Sequence, residues 1–276
     1  MSNISEIEAI VTNNISTIYR TPSPHNTQPW VYEFKQDKMV IGWDSLRILP
    51  FSDPSNRDLF LCLGMFVESI AVLVFDTLNK EIIVNNCLDI ENGIFCEIEI
   101  GNNLSTYKIS KTDLITRSTN RKLYTAYTPC THSEIDEILS SELVSMGTHR
   151  SIEYAELLDE ADSIQLTNTD MCLELKTWLR AERKLNARDG LSSLLLDLKF
   201  YEAKALQFLF TPWIHRAFKY INIGKLLTRS RSNMLKTNSY LISFSINEEF
   251  SPDDLLNAGR SILQNWCLLN KNGYSL

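Results

Sequence analysis

The run Pro22-Ser23-Pro24-His25-Asn26-Thr27-Gln28-Pro29-Trp30 constrains this chain more than any other stretch. Three prolines in nine residues fix φ at three points and drive the residue before each of them out of the helical region. The segment is therefore a rigid, non-helical loop. Between the prolines stand hydroxyl, imidazole and amide side chains, which hydrogen-bond in tight backbone geometry. Such a loop stops one element and starts the next, and it is also the kind of backbone on which ligands are held. Gln28 orients the loop in this reading, and Trp30 anchors it in the core.

The pattern around the loop predicts mixed helix and strand. Apolar residues at helical spacing predict a helix over residues 4–18, and alternation predicts a hairpin of 31–34 and 39–43 turning at Gln36-Asp37-Lys38. Asp53-Pro54 reads as the opening of a helix over 55–79, whose central Gly64 implies a close backbone or ligand approach. Strands are expected over 81–85, 94–100 and 106–110. A helix follows over 133–146, capped by Thr131 or Ser133 and closed by Gly147. Longer helical patterns cover 157–186 and 191–210, with Phe200, Leu206, Phe208, Leu209 and Phe210 as core. A basic loop spans 225–236, a strand 240–246 and a helix 252–270. The helices around Gly64 and Gly259 echo one another, because each follows a Pro and an Asp. That echo suits a fold of two related halves.

Composition removes several classes of function. A net charge of −7 excludes a broad nucleic-acid-binding face, which needs a basic footprint. Six scattered cysteines and four histidines lack metal-ligand or disulfide spacing, so the thiols read as reduced and mostly buried, in a cytoplasmic protein. The start of the chain is acidic and shows no signal peptide. The apolar run 59–75 contains Glu68 and is short for a bilayer span, so it reads as a buried core helix and no membrane partner is expected.

A second constellation is Arg117-Ser118-Thr119-Asn120-Arg121, two guanidinium forks around short donors, a set that can surround a phosphate. The proline loop resembles the flavin-contacting P-S-x-x-N-x-Q-P-W loop of the nitroreductase superfamily at every fixed position. The arginine element is similar to the family's R-x-S-x-R segment, with Thr119 in the serine position. In ordinary nitroreductases the arginine element precedes the loop and each flavin lies between two subunits. Here the order is reversed, as in the single-chain, two-lobed Acg-like branch. Asp44-Ser45-Leu46-Arg47-Ile48-Leu49-Pro50, Asp53-Pro54-Ser55-Asn56-Arg57, Trp178-Leu179-Arg180, Asp189-Gly190 and Ala258-Gly259-Arg260 resemble that branch as well. The sequence stops where a further strand of the family is expected, one that adds basic contacts to the flavin phosphate.

The resemblance implies an α+β, nitroreductase-like fold of two related lobes, each an antiparallel-rich sheet flanked by helices, forming a pseudo-dimer within one chain. Residues 1–112 would carry the proline loop and 113–276 the arginine element, so no second subunit is required. It implies FMN as cofactor, held by Pro22, Ser23, His25, Asn26 and Gln28 on one side and by Arg117, Thr119 and Arg121 on the other. The implied activity is transfer of hydride from NAD(P)H through FMN to a small-molecule acceptor, a nitroaromatic or quinone. No catalytic side chain is assigned, because the flavin carries the hydride. The alternative is a protein that binds and sequesters FMN with little turnover. His25 reads as either a flavin contact or a loop filler, and Arg57 as a phosphate contact or a local cap. Arg180, Arg183, Arg188 and Arg229-Ser230-Arg231 read as solvated charge.

Overall fold

A computed structural model of the protein describes residues 3–120, 132–139, 145–181, 188–218, 240–246 and 250–274. Arg121, Thr131, Arg183 and the basic run 225–236 lie outside the described residues. The periodicity at 4–18 makes two helices rather than one, α1 (Asn3–Asn13) and the single turn α2 (Ile15–Ile18). The break falls at Asn14, whose Nδ2 donates back to the Ile10 carbonyl at 2.8 Å and competes with the helical ladder. After the proline loop, β1 (Trp30–Lys35) and β2 (Lys38–Trp43) form the expected hairpin, paired from Trp30↔Trp43 to Lys35↔Lys38.

The long helix α3 (Arg57–Leu78) starts later than Asp53-Pro54 suggests. Pro54 stays outside it, and Asp53 reaches in as a cap, its Oδ2 accepting the Leu59 N–H at 2.9 Å. β3 (Lys80–Asp89) and β4 (Ile94–Asn103) complete a four-stranded antiparallel sheet of order β1-β2-β4-β3. The strand expected over 106–110 does not form. Tyr107 instead turns inward to donate to Glu68, and Ser110 caps α4 (Lys111–Thr116) in a reciprocal box with Asp113.

The second half departs further from local periodicity. The helix expected over 133–146 ends early, as α5 (His132–Ile138), and Met146 and Gly147 lie in β5 (Ser145–Arg150). The predicted run 157–186 is α6 (Ala155–Thr167) and α7 (Thr169–Trp178), divided at Asn168, whose side chain caps the second helix through the N–H groups of Asp170 and Met171. Only 200–209 of the run 191–210 is helical. It opens instead with β7 (Leu191–Ser192), which pairs in parallel with β6 (Leu179–Arg180) of the preceding run, and then carries α8 (Phe200–Leu209), while Pro212 opens α9 (Pro212–Phe218). Phe208 faces solvent rather than the core, whereas Phe210 is buried with Cys172, Leu179 and Leu191. β8 (Tyr240–Ser245) pairs antiparallel with β5, and α10 (Pro252–Lys271) begins with Pro252 at its first position behind the Ser251–Asp254 capping box.

The main core lies between the four-stranded sheet, α1, α3 and α10. α3 is long and apolar enough to cross a membrane by length and composition alone, yet from Leu59 to Val74 every residue except Leu61 is buried in this core. Its crossing with α10 is set by glycine. A methyl on Gly64 would strike the Leu256 carbonyl oxygen and stand 3.1 Å from the Gly259 Cα. A methyl on Gly259 would strike the Leu61 carbonyl and stand 3.0 Å from the Gly64 Cα. Each glycine thus faces the carbonyl three residues before the other, a reciprocal contact that only two hydrogens in place of side chains permit.

A polar knot fastens the same two helices. Glu68, fully buried on α3, accepts from Arg260 Nε at 2.9 Å, and from Gln264 Nε2 and the Tyr107 hydroxyl at 2.7 Å each. Burial, reinforced by the Glu68 carboxylate, pushes the Tyr107 phenol upward, so it stays protonated and donating. Cys62, Cys96, Cys172 and Cys267 are buried free thiols, with burial pushing Cys172 up to about 11 and Cys267 to about 12.

Candidate functional site

The proline loop adopts a conformation that few sequences accept. His25, Asn26 and Gln28 all have positive φ, at 50°, 54° and 52°. Left-handed backbone is uncommon outside glycine, and at sites where it persists the surroundings hold it in place. Here they do so from several directions. The Asn26 and Thr27 N–H groups donate to the Ser23 and Pro24 carbonyls, and the Gln28 N–H donates to Ser23 Oγ at 3.0 Å. Just before the loop, the Thr21 hydroxyl meets that of Ser69 on α3 at 2.8 Å. Trp30 is buried at the other end, stacked on Phe66 with ring centroids 5.0 Å apart.

A distant segment completes the clamp. Asn26 Nδ2 donates to the Gly190 carbonyl at 3.0 Å, the Gly190 N–H donates to the Asn26 carbonyl at 2.9 Å, and Gln28 Nε2 donates to the Arg188 carbonyl. Arg47 Nη1 donates both to the Thr27 carbonyl at 2.8 Å and to Asp189 Oδ2 at 2.9 Å, while Arg180 binds the other Asp189 oxygen. Asp189 is partly desolvated, which alone would raise its pKa. The hydrogen bonds and charges of Arg180 and Arg47 outweigh that and hold it below the ordinary carboxylate range. Arg180, expected as solvated charge, is thus a structural ion-pair partner.

The arginine element meets this loop across space. Arg117 follows α4 and is only 7% exposed. Its Nη2 donates to the Arg20 carbonyl at 2.7 Å, its guanidinium lies over the Trp266 ring at 4.7 Å, and its buried Nη1 has no hydrogen-bond partner among the described residues. Burial, with Arg20 adding like charge, pushes this guanidinium down to about 10, so it remains a cation at neutral pH. α10 fixes the following residue, since the Ser118 N–H donates to Asn270 Oδ1 at 2.9 Å and its carbonyl accepts from Trp266 Nε1.

Between these parts lies a cavity of about 630 Å³, within the size range of small-molecule and cofactor sites. Pro22, Ser23, Asn26 and Gln28 line one side, and Arg117 and Thr119 the other. Leu61 and Met65 of α3 with Ile262 and Trp266 of α10 supply an apolar surface, and Leu191 and Leu195 a further wall. Of the residues singled out in sequence, His25 is half-buried in the loop but does not line the cavity. Arg57 pairs with Asp58 at 3.6 Å on the surface and does not line it either. Sequence reasoning missed Arg20, Asp58 and Arg188, which do. Arg20 stood two residues before the first proline, and that adjacency was the signal available.

The chain matches no protein-family model and no curated protein.

The cofactor that the resemblance implies, FMN, combines an anionic phosphate with a flat aromatic ring system. A buried cationic nitrogen without a partner is costly, so an anion beside it is the natural complement. The neighbouring Ser118 and Thr119 add short polar groups to the same wall. An apolar floor beneath a rigid polar loop suits a flat aromatic ring system. These residues fit FMN.

Proposed function

We propose that this protein is an FMN-dependent oxidoreductase of nitroreductase type, acting on a nitroaromatic or quinone-like acceptor with NAD(P)H as the reductant. One observation carries the reading: two sequence motifs that lie far apart in the chain line one cavity, with a buried guanidinium nitrogen at the arginine side that has no partner among the described residues. The reciprocal Gly64–Gly259 crossing supports the finer reading of two related lobes forming a pseudo-dimer, since a local two-fold relation would generate that reciprocity.

Hydride transfer between NAD(P)H and the acceptor is the chemistry FMN supplies when bound. The chain's own residues bind and orient. Arg117 and Thr119 would hold the phosphate and ribityl end, together with Arg121, which lies outside the described residues. Ser23 Oγ already accepts the Gln28 N–H, so it offers its hydroxyl proton to the ligand. Leu61, Met65, Ile262 and Trp266 exclude water from one face of the ring. The left-handed loop residues keep Pro22 and Ser23 in a fixed position, so little entropy is lost on binding.

A second reading, FMN sequestration with little turnover, is favoured by the clamp on 188–190. Leu191 and Leu195 form a cavity wall tied to the proline loop, and a wall fixed over one flavin face excludes the nicotinamide. Titration of the full chain with FMN, followed by NAD(P)H oxidation with menadione or nitrofurazone, separates the two. Saturable binding with turnover supports the oxidoreductase, and binding without turnover supports sequestration. Replacing Arg117 and Arg121 together by alanine is expected to weaken FMN by about 100-fold, as charged hydrogen bonds are worth roughly 1.5–3 kcal/mol each. Absence of saturable FMN binding by the wild type refutes both readings.

A further inference from the structure

We infer that Arg20 is a phosphate-binding residue paired with Arg117, and that the two guanidinium groups together form a seat selective for a phosphomonoester dianion. The inference rests on the FMN reading and adds a residue that lies in neither sequence motif.

Two arginines lock together at the edge of the cavity. Arg20 Nη2 donates to the Arg117 carbonyl at 3.2 Å, and Arg117 Nη2 donates to the Arg20 carbonyl at 2.7 Å. Both residues line the cavity. Like charges held this close repel, and the depressed pKa of Arg117 records both burial and the field of Arg20. No hydrogen bond or ion pair to a carboxylate relieves either guanidinium among the described residues. Asp58, the one carboxylate among the described residues that line the cavity, pairs with Arg57 instead. A dianion at this edge would neutralise both cations at once and give the orphaned Arg117 Nη1 an acceptor. The two arginines differ in setting. Arg117 is buried and stacked on Trp266, whereas Arg20 is exposed. Salt therefore screens the contribution of Arg20 and leaves most of that of Arg117.

The test is fluorescence titration of the full chain with FMN and with riboflavin at low and high KCl, for wild type, Arg20→Gln and Arg20→Lys. The expected result is about a tenfold loss of FMN affinity in Arg20→Gln at low salt. Riboflavin should stay within about twofold of wild type, because only the phosphate meets the pair. Arg20→Lys should fall between, and Arg20→Gln should show a flatter salt dependence than wild type. Thermal melts of the apo proteins identify any unfolded variant, and Arg20→Lys then carries the comparison, since it keeps the charge. Unchanged FMN affinity in Arg20→Gln overturns the inference and leaves the FMN reading standing. So does an equal loss for both flavins, which would mean that Arg20 acts by supporting the loop. If the wild type binds neither flavin, the FMN reading falls and takes this inference with it.

Discussion

Replacing Gly259 or Gly64 by alanine sets two effects of opposite sign against each other. In a helix interior, alanine is favoured over glycine by about 1 kcal/mol, so propensity alone predicts a more stable protein. The crossing predicts the reverse. The added methyl from either helix meets a backbone carbonyl of the other, Leu61 or Leu256, and neither can rotate away as a side chain would. Restoring ordinary carbon–oxygen contact requires the helices to part by roughly an ångström. A gap of that order forfeits about a quarter to a half of the dispersion energy of facing atoms, and overpacking costs about 1–3 kcal/mol. A backbone clash belongs at the upper end of that range. Net destabilisation of about 2 kcal/mol is expected for either substitution, a fall in Tm of roughly 4–8 °C. The double variant should cost less than the sum, since one methyl already opens the crossing for the other. Urea and thermal unfolding of the three variants measure this. FMN affinity should fall too, because Leu61, Met65, Ile262 and Trp266 line the cavity from these two helices. An alanine variant as stable as wild type, or more so, would refute the close crossing. Lost stability with unchanged flavin affinity would show that the crossing does not shape the cavity.

Arg260→Met should destabilise by about 3–5 kcal/mol, because it leaves the fully buried Glu68 without its cation. Glu68→Gln should cost less, since Arg260 is partly exposed and can turn to water; equal losses in urea unfolding would contradict this. Asp189→Asn should cost roughly 1 kcal/mol, its ion pairs being partly exposed. It should also increase amide hydrogen exchange at Gly190, and unchanged exchange would show that the Arg47–Asp189–Arg180 bridge does not hold this segment. Because the folded pKa of Asp189 is depressed, its contribution is complete above the unfolded aspartate value near 4 and is lost as pH falls through the lower folded value. Wild type should therefore lose its stability advantage over Asp189→Asn below about pH 4, and an advantage that persists at acid pH would contradict the sign of that shift.

Local chemistry determined much of this protein in advance. The three prolines fixed a rigid loop, alternation fixed the β1–β2 hairpin, and Ser251-Pro252 fixed the start of α10, because each depends on neighbours in the chain. Gly64 signalled a close approach for the same reason, since a mid-helix glycine needs a compensating contact. The partner of that glycine was decided only by folding. So was the fate of Met146 and Gly147, which carry a helical pattern yet pair in β5 with a strand almost a hundred residues later. Inward rotation of Tyr107 to a buried carboxylate likewise displaced an expected strand. The cavity followed the same division. Its polar loop and its Arg117 were visible in the sequence as residue types suited to a ligand. Arg20, Asp58 and Arg188 were not, because a solvated arginine and one aimed into a cavity look alike until tertiary contacts settle what surrounds them. Hydrogen bonds such as that from Gln28 to the Arg188 carbonyl, 160 residues away, have no local signature, and they decide which charges share a site.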